Sequence, residues 1–146
     1  MTLTIGAVAK QAGLGIQTVR FYEREGLIEA PPRSSSGYRA YDEKAVYRLR
    51  FIRRAQELGF TLKEIRELIA LEQDQDADCE QVRGVASSKL STVENKIADL
   101  QRMKAALQQL IHSCNGSGPI RDCVIMDCLQ SSTECEVFSP RPIELA

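Results

Sequence analysis

Residues 80–112 constrain this chain more than any other stretch. They contain no proline, and Ala86, Leu90, Val93, Ile97, Leu100, Leu107 and Ile111 fall on alternating four-and-three spacing, broken only by Lys104. Such spacing draws one narrow apolar seam along an α-helix, the pattern of a coiled coil. On a solitary helix that seam would stay wet. No second segment of comparable length exists among the 146 residues, so the expected partner is another copy of the chain, giving a homodimer.

Upstream, the punctuation is that of short helices. In TIGAVAKQAG (4–13), Thr4 suits an N-cap, Ile5, Val8 and Ala9 share one face, and Gly13 ends the segment. Leu14-Gly15 makes a tight connection to IQTVRFYEREG (16–26), a second helix stopped at Gly26, and the pair reads as a helix-turn-helix. APPRSSSGYRAYD (30–42) excludes a helix, and its GYRAY piece alternates like a short strand or ribbon, which completes the plan of a winged module. EKAVYRLRFIRRAQEL (43–58) places Val46, Leu49, Ile52 and Leu58 at helical spacing before Gly59. TLKEIRELIALE (61–72) opens with the Thr61/Glu64 spacing of a capping box.

The expected organisation is therefore mainly α. A winged helix-turn-helix domain with a second helix pair occupies 1–72, an acidic connector 73–79 and a coiled-coil dimerisation helix 80–112. A loop and short helix follow at 113–130, then a disordered tail at 131–146.

Charge follows this division. Residues 1–54 hold ten Lys/Arg against five Asp/Glu, whereas residues 55–146 hold nine against fifteen. A polyanion partner is thus expected to meet the N-terminal module. Its second helix presents Gln17, Thr18, Arg20, Tyr22 and Arg24, with Val19 or Phe21 available to face inward. Arg suits guanine edges or phosphates, Gln and Thr bases or backbone, and the Tyr hydroxyl phosphate. Tyr38 and Arg39 on the wing would add backbone or minor-groove contacts, and a two-fold dimer suits paired half-sites in double-stranded DNA. One histidine, with no nucleophile–base pair and no phosphate-binding glycine loop, leaves little from which to build an enzyme. No apolar run reaches membrane-spanning length, and a cytoplasmic protein is expected. In that compartment five cysteines argue for thiol chemistry or metal binding rather than a disulfide framework.

IGAVAKQAGLGIQTVRFYEREGLI, then GYRAY, then LRFIRRAQELGFTLKEIRELI resembles the N-terminal domain of MerR-family transcription regulators, almost continuously over residues 4–72. The coiled coil and cysteine tail extend the likeness to about residue 130. The resemblance implies that Arg20 and Tyr22 lie on a recognition helix and Tyr38 and Arg39 on a wing. It also implies a mode of action: the dimer sits on a promoter whose spacer is too long, and effector binding makes it distort the DNA so that RNA polymerase can start.

Cys79 and Cys114 bracket a helical segment of about 50 Å at 1.5 Å per residue, so within one chain they cannot share a ligand. If two copies pair antiparallel, Cys79 of one meets Cys114 and Cys123 of the other, twice per dimer. The heptads do not set that orientation. It follows from requiring the cysteines to meet, and it agrees with the family's architecture. Gly116, Gly118 and Pro119 make the intervening loop pliable enough to fold Cys123 back. In the family's metal-sensing members, cysteines stand at the positions of Cys79, Cys114 and Cys123.

Three thiolates favour soft ions, Hg(II) first, with Pb(II), Cd(II) and Zn(II) as alternatives. Zinc-responsive relatives carry adjacent cysteines and a histidine in this loop, which here reads Ser113-Cys114 without His. Copper(I)-type relatives lack the cysteine matching Cys79. Against mercury, Val124 follows Cys123 where mercury sensors commonly carry proline. Cys128 and Cys135 read either as extra ligands for lead or cadmium, or as a half-buried and an exposed thiol without that role. His112 ends a helix, where its ring suits the dipole. From another class, the competing function is a metal-binding thiol protein whose helical head binds protein rather than DNA.

Overall fold

A computed structural model describes residues 2–31, 33, 37 and 40–131. Its helices are α1 (Ile5–Ala12), α2 (Ile16–Arg24), α3 (Glu43–Glu57), α4 (Leu62–Gln73), α5 (Cys79–Ser113) and α6 (Val124–Gln130), with a 3-10 turn at Ile120–Asp122. The chain divides into two compact units, Met1–Lys89 and Leu90–Ala146.

The first unit is built around α3. Val46, Leu49, Ile52 and Ala55, three residues apart along that helix, turn one stripe into a core that also holds Val8, Ala9 and Ala12 of α1, Val19 and Tyr22 of α2, and Ile65 of α4. Leu27, Ile28 and Tyr41 close it from the connecting segments. Leu49 and Ile52 are fully buried. Truncating such a side chain removes its transfer free energy and leaves a void that the neighbours only partly fill. Leu49→Ala is therefore expected to destabilise this unit by about 2–5 kcal/mol, read from urea unfolding at fixed protein concentration.

The turn between α1 and α2 is fixed from α3. Thr4 caps α1 by accepting the Ala7 N–H at 3.2 Å, and Gly13 ends it in the left-handed region at φ 72°. That backbone conformation is what makes the position a glycine, and a Cβ there would also push aside the end of the Arg53 side chain. Arg53 donates to the Ala12 carbonyl at 3.3 Å, and Arg50 donates twice to the Gln11 carbonyl at 3.2 and 3.1 Å. Two guanidiniums on α3 thus satisfy the last carbonyls of α1, where the helix dipole favours positive charge. Arg66 of α4 does the same for α2, donating to the Glu25 carbonyl and carboxylate, both at 2.9 Å.

Within GYRAY, Tyr38 and Arg39 lie outside the described residues, and so does the tail expected at 131–146 from residue 132 on. Tyr41 makes an isolated antiparallel bridge to Leu3, with N–H to carbonyl distances of 2.8 and 2.7 Å, which ties the end of that segment to the N-terminus.

The capping box of α4 is present in full. Thr61 Oγ1 accepts the Glu64 N–H at 3.2 Å, and the Glu64 carboxylate accepts the Thr61 N–H at 3.3 Å. Helix α5 runs 35 residues without a break. Leu90, Val93, Ile97, Leu100, Leu107 and Ile111 of its seam are all exposed in the single chain, Leu100 at 60 %. Leu110, on a different face, is 5 % exposed, with Met103 and Ala106 half-buried on the same side. The second unit thus uses one face of α5 within the chain and leaves the seam uncovered. No helix among the described residues is long and apolar enough to cross a membrane.

A basic groove on the helix-turn-helix and a paired-thiol loop

Helix α2 divides its side chains between core and solvent. Val19 is fully buried and Tyr22 is 3 % exposed, while Gln17, Arg20, Phe21 and Arg24 face outward and Thr18 is half-buried. Tyr22 is a correction to the expected DNA-contacting set. Its ring lies in the core and its hydroxyl donates to the Gln56 side chain on α3, with burial pushing the phenol pKa up. The three-residue step from Val19 selects Tyr22 for the inward face and turns Phe21 out.

Arg20 and Arg24, one turn apart, open onto a groove of about 490 Å³ lined also by Thr4, Ile5, Glu23, Arg33, Gly37 and Tyr41. The buried Tyr41 donates its hydroxyl to the Glu23 carboxylate, fixing the one acidic side chain of the groove to its wall. Three guanidiniums around such a hollow suit phosphate oxygens or guanine edges, which they bind as planar forks. Arg33 was not among the residues singled out from sequence. A lone arginine in a proline- and serine-rich loop carries no periodicity, and only the fold brings it beside α2. Tyr38 and Arg39 lie outside the described residues.

The thiols form a second constellation. Cys79 is exposed and is the first residue of α5. Cys114 lies directly after that helix, half-buried, and its Sγ accepts the Gly116 N–H at 3.4 Å. Gly116 and Gly118 take positive φ, 75° and 101°, and reverse the chain into the 3-10 turn that delivers Cys123 to the N-cap of α6. There the N–H groups of Met126 and Ile125, together with a hydrogen bond to the Cys114 side chain, hold the Cys123 thiol below its ordinary pKa. Lowering that pKa favours the thiolate, the form that binds soft metals. The loop therefore turns Cys123 back toward Cys114.

Among the described residues of one chain, no three His, Cys, Asp or Glu side chains gather as a metal site. Cys79, Cys114 and Cys123 are free, whereas Cys128 is disulfide-bonded. Cys135 lies outside the described residues. His112 sits exposed in the last turn of α5.

The chain matches the MerR HTH family regulatory protein family over residues 3–72 and the MerR, DNA binding family over residues 46–110. It is 40 % identical over 132 residues to a mercuric resistance operon regulatory protein of Serratia marcescens, covering 90 % of each chain. Two solved structures are similar along most of their length. The regulator PbrR691 of Ralstonia metallidurans CH34, in complex with lead(II), gives a TM-score of 0.78 at 37 % identity, covering 87 % of this chain and 98 % of that one. MerR of Bacillus megaterium MB1, in complex with mercury(II), gives 0.66 at 34 % identity, covering 84 % and 95 %. The chain belongs to the MerR family of helix-turn-helix regulators, DNA-binding transcription regulators and not enzymes.

Proposed function

We propose that this regulator is a homodimer that responds to a thiophilic metal ion, Hg(II) first, bound by Cys79 of one protomer together with Cys114 and Cys123 of its partner. The observation that carries this reading is the paired-thiol loop. The loop turns Cys123 back toward Cys114, whose side chain is among the groups that bias the Cys123 thiol toward thiolate, and among the described residues no third donor joins them. Cys79 is the remaining free thiol among the described residues, and an unbroken helix of 35 residues separates it from Cys114. An antiparallel dimer along α5 lets each pair meet the other chain's Cys79. Three sulfurs fit a large, soft ion that accepts three-coordination better than one that requires four ligands.

The dimer binds promoter DNA through α2 and the basic groove, using Gln17, Thr18 and Arg20, with Arg24 and Arg33 on the groove wall and Tyr38 and Arg39 on the wing. Metal binding across the interface favours a dimer geometry that distorts the promoter, so that RNA polymerase can start. Such a switch reads DNA deformability, and the ion shifts the balance between two DNA shapes.

The exposed seam supports the dimer, since six large apolar side chains in a row on one helix need a cover. Leu100→Glu puts a charge into the middle of that seam. It is expected to convert the protein to a monomer at micromolar concentration, read by sedimentation velocity, with the melting of the DNA-binding unit unchanged.

Lead(II) is the second reading, favoured by the likeness to the lead-bound PbrR691 structure. An ultraviolet titration of the reduced protein with Hg(II), Pb(II), Cd(II) and Zn(II), with a competing small thiol present, separates the two. Hg(II) is expected to saturate at two ions per dimer, with a low-energy sulfur-to-metal band. Tighter retention of Pb(II) or Cd(II) would transfer the assignment to that ion.

A further inference from the structure

We propose that Lys89, clamped between Glu64 and Phe60, is the positioning residue through which helix α5 passes the metal-bound state to the DNA-binding unit. This inference rests on the metal-responsive reading above.

The contact lies wholly within the first unit, at its last residue. Lys89 Nζ donates to Glu64 Oε1 at 2.8 Å and stands 5.7 Å from the centre of the Phe60 ring. Only 10 % of the Lys89 side chain is exposed, and 26 % of that of Glu64. The pairs Arg48–Glu72, Arg53–Glu57, Arg66–Glu25 and Arg83–Glu80 leave both side chains 22–78 % exposed. The carboxylate is itself held, because Glu64 also closes the α4 capping box with Thr61, whose hydroxyl donates to Glu64 Oε1 at 2.9 Å. Its carboxyl is kept below the usual carboxylate range, by the hydrogen bond from Lys89 first.

A lysine so far withdrawn from water is tolerated only while its charge has partners, and losing them strands a desolvated ammonium. Most of α5 before Lys89 is exposed, with Val85 half-buried one turn earlier. Rotation or sliding of α5 against α4 must therefore either break this clamp or carry α4 with it. α4 is in turn tied to the recognition helix, through Arg66 to Glu25 at the end of α2. The sequence of contacts runs from α5 through Lys89, Glu64, α4 and Arg66 to α2, and the two links between helices are charged hydrogen bonds. Such links couple two sites when both bias the same arrangement.

The test uses the full-length protein and an operator duplex selected with wild-type protein from a random library, in four forms: wild type, Lys89→Met, Glu64→Gln and the double variant. Gln at position 64 keeps an oxygen for the Thr61 cap, so this form remains informative if Lys89→Met fails to fold. Metal affinity is read from the sulfur-to-metal band and apo DNA affinity from anisotropy. Metal-induced distortion is read from 2-aminopurine fluorescence in the spacer. In the variants the first two are expected to stay within about twofold of wild type. The metal-dependent shift between DNA shapes should fall by about 5–150-fold, the usual range of a coupling constant. The double variant should be no worse than either single one, because both cut the same link.

A full response in Lys89→Met and Glu64→Gln overturns the proposal, as does a loss confined to metal or DNA affinity. Absence of any sulfur-to-metal band in wild type overturns the metal-responsive reading instead, and this inference with it.

Discussion

Cys79→Ser is expected to lower Hg(II) affinity by more than about 100-fold while leaving operator affinity in the absence of metal within about twofold. Removing a group that merely orients a metal ligand commonly costs 10–100-fold in affinity, and a directly bound thiolate is worth more than its orienter. Because Cys79 is exposed at the first turn of α5, serine there disturbs no packing, and the variant should melt with the wild type. The paired Cys114 and Cys123 remain in place, so residual binding by two sulfurs is expected, with the low-energy band of three-sulfur coordination gone. A mixed dimer sharpens the result. One wild-type chain and one Cys79→Ser chain should retain a single three-sulfur site, because each site draws Cys79 from the opposite protomer. A homodimer of Cys79→Ser that still shows the wild-type band would refute the shared site. Loss of apo DNA binding in the folded variant would show that Cys79 acts on the DNA-binding unit rather than on the metal.

The elements that were legible in the sequence are those set by local chemistry. Thr4, Gly13 and the Thr61/Glu64 pair mark helix ends through hydrogen bonds to neighbours three or four residues away, and the structure contains each of them. The seam of α5 was legible because periodicity alone defines it. Tyr22 was not, since a short amphipathic helix with Val19, Phe21 and Tyr22 offers two inward arcs and only the position of α3 chooses between them. Lys89 reads as one more solvated charge, and nothing local predicts that Glu64 and Phe60 enclose it. Arg33, Arg50 and Arg53 share that property. Arg50 and Arg53 find their partners in a segment distant in sequence, Arg33 comes beside α2 only through the fold, and the loop or helix they stand on gives no periodic signal of contact. The Cys114–Cys123 pairing stands between these cases. The glycines forecast a reversal of the chain, but placement of Cys123 at the N-cap of α6, with its thiol near backbone N–H groups, is a property of the folded loop.

Arg20→Ala is expected to weaken operator binding by about 2–6 kcal/mol, from a contact worth roughly 1–3 kcal/mol at each of two half-sites. That is a loss of about 30-fold to 10⁴-fold at constant salt. Arg20 is exposed on α2 and opens onto the groove shared with Arg24 and Arg33, so the change removes a reader without touching the core. Metal stoichiometry and the sulfur-to-metal band should be unaltered. The salt dependence of the loss identifies what Arg20 touches. A contact to phosphate would lower the slope of log affinity against log salt by about one for each subunit and weaken all sequences alike. A fork on a guanine edge would leave the slope nearly unchanged and relax discrimination at one base pair in each half-site. Glu23 favours the base-edge outcome. It stands in the same groove, held by Tyr41, and a carboxylate there repels a phosphate seated alongside it. Arg24 and Arg33 line the same groove as Glu23, and Arg24→Ala run in parallel tells by the same two signatures whether the neighbouring guanidinium reads a phosphate or a base. Equal operator affinity in wild type and Arg20→Ala would mean that α2 does not read the DNA through this groove.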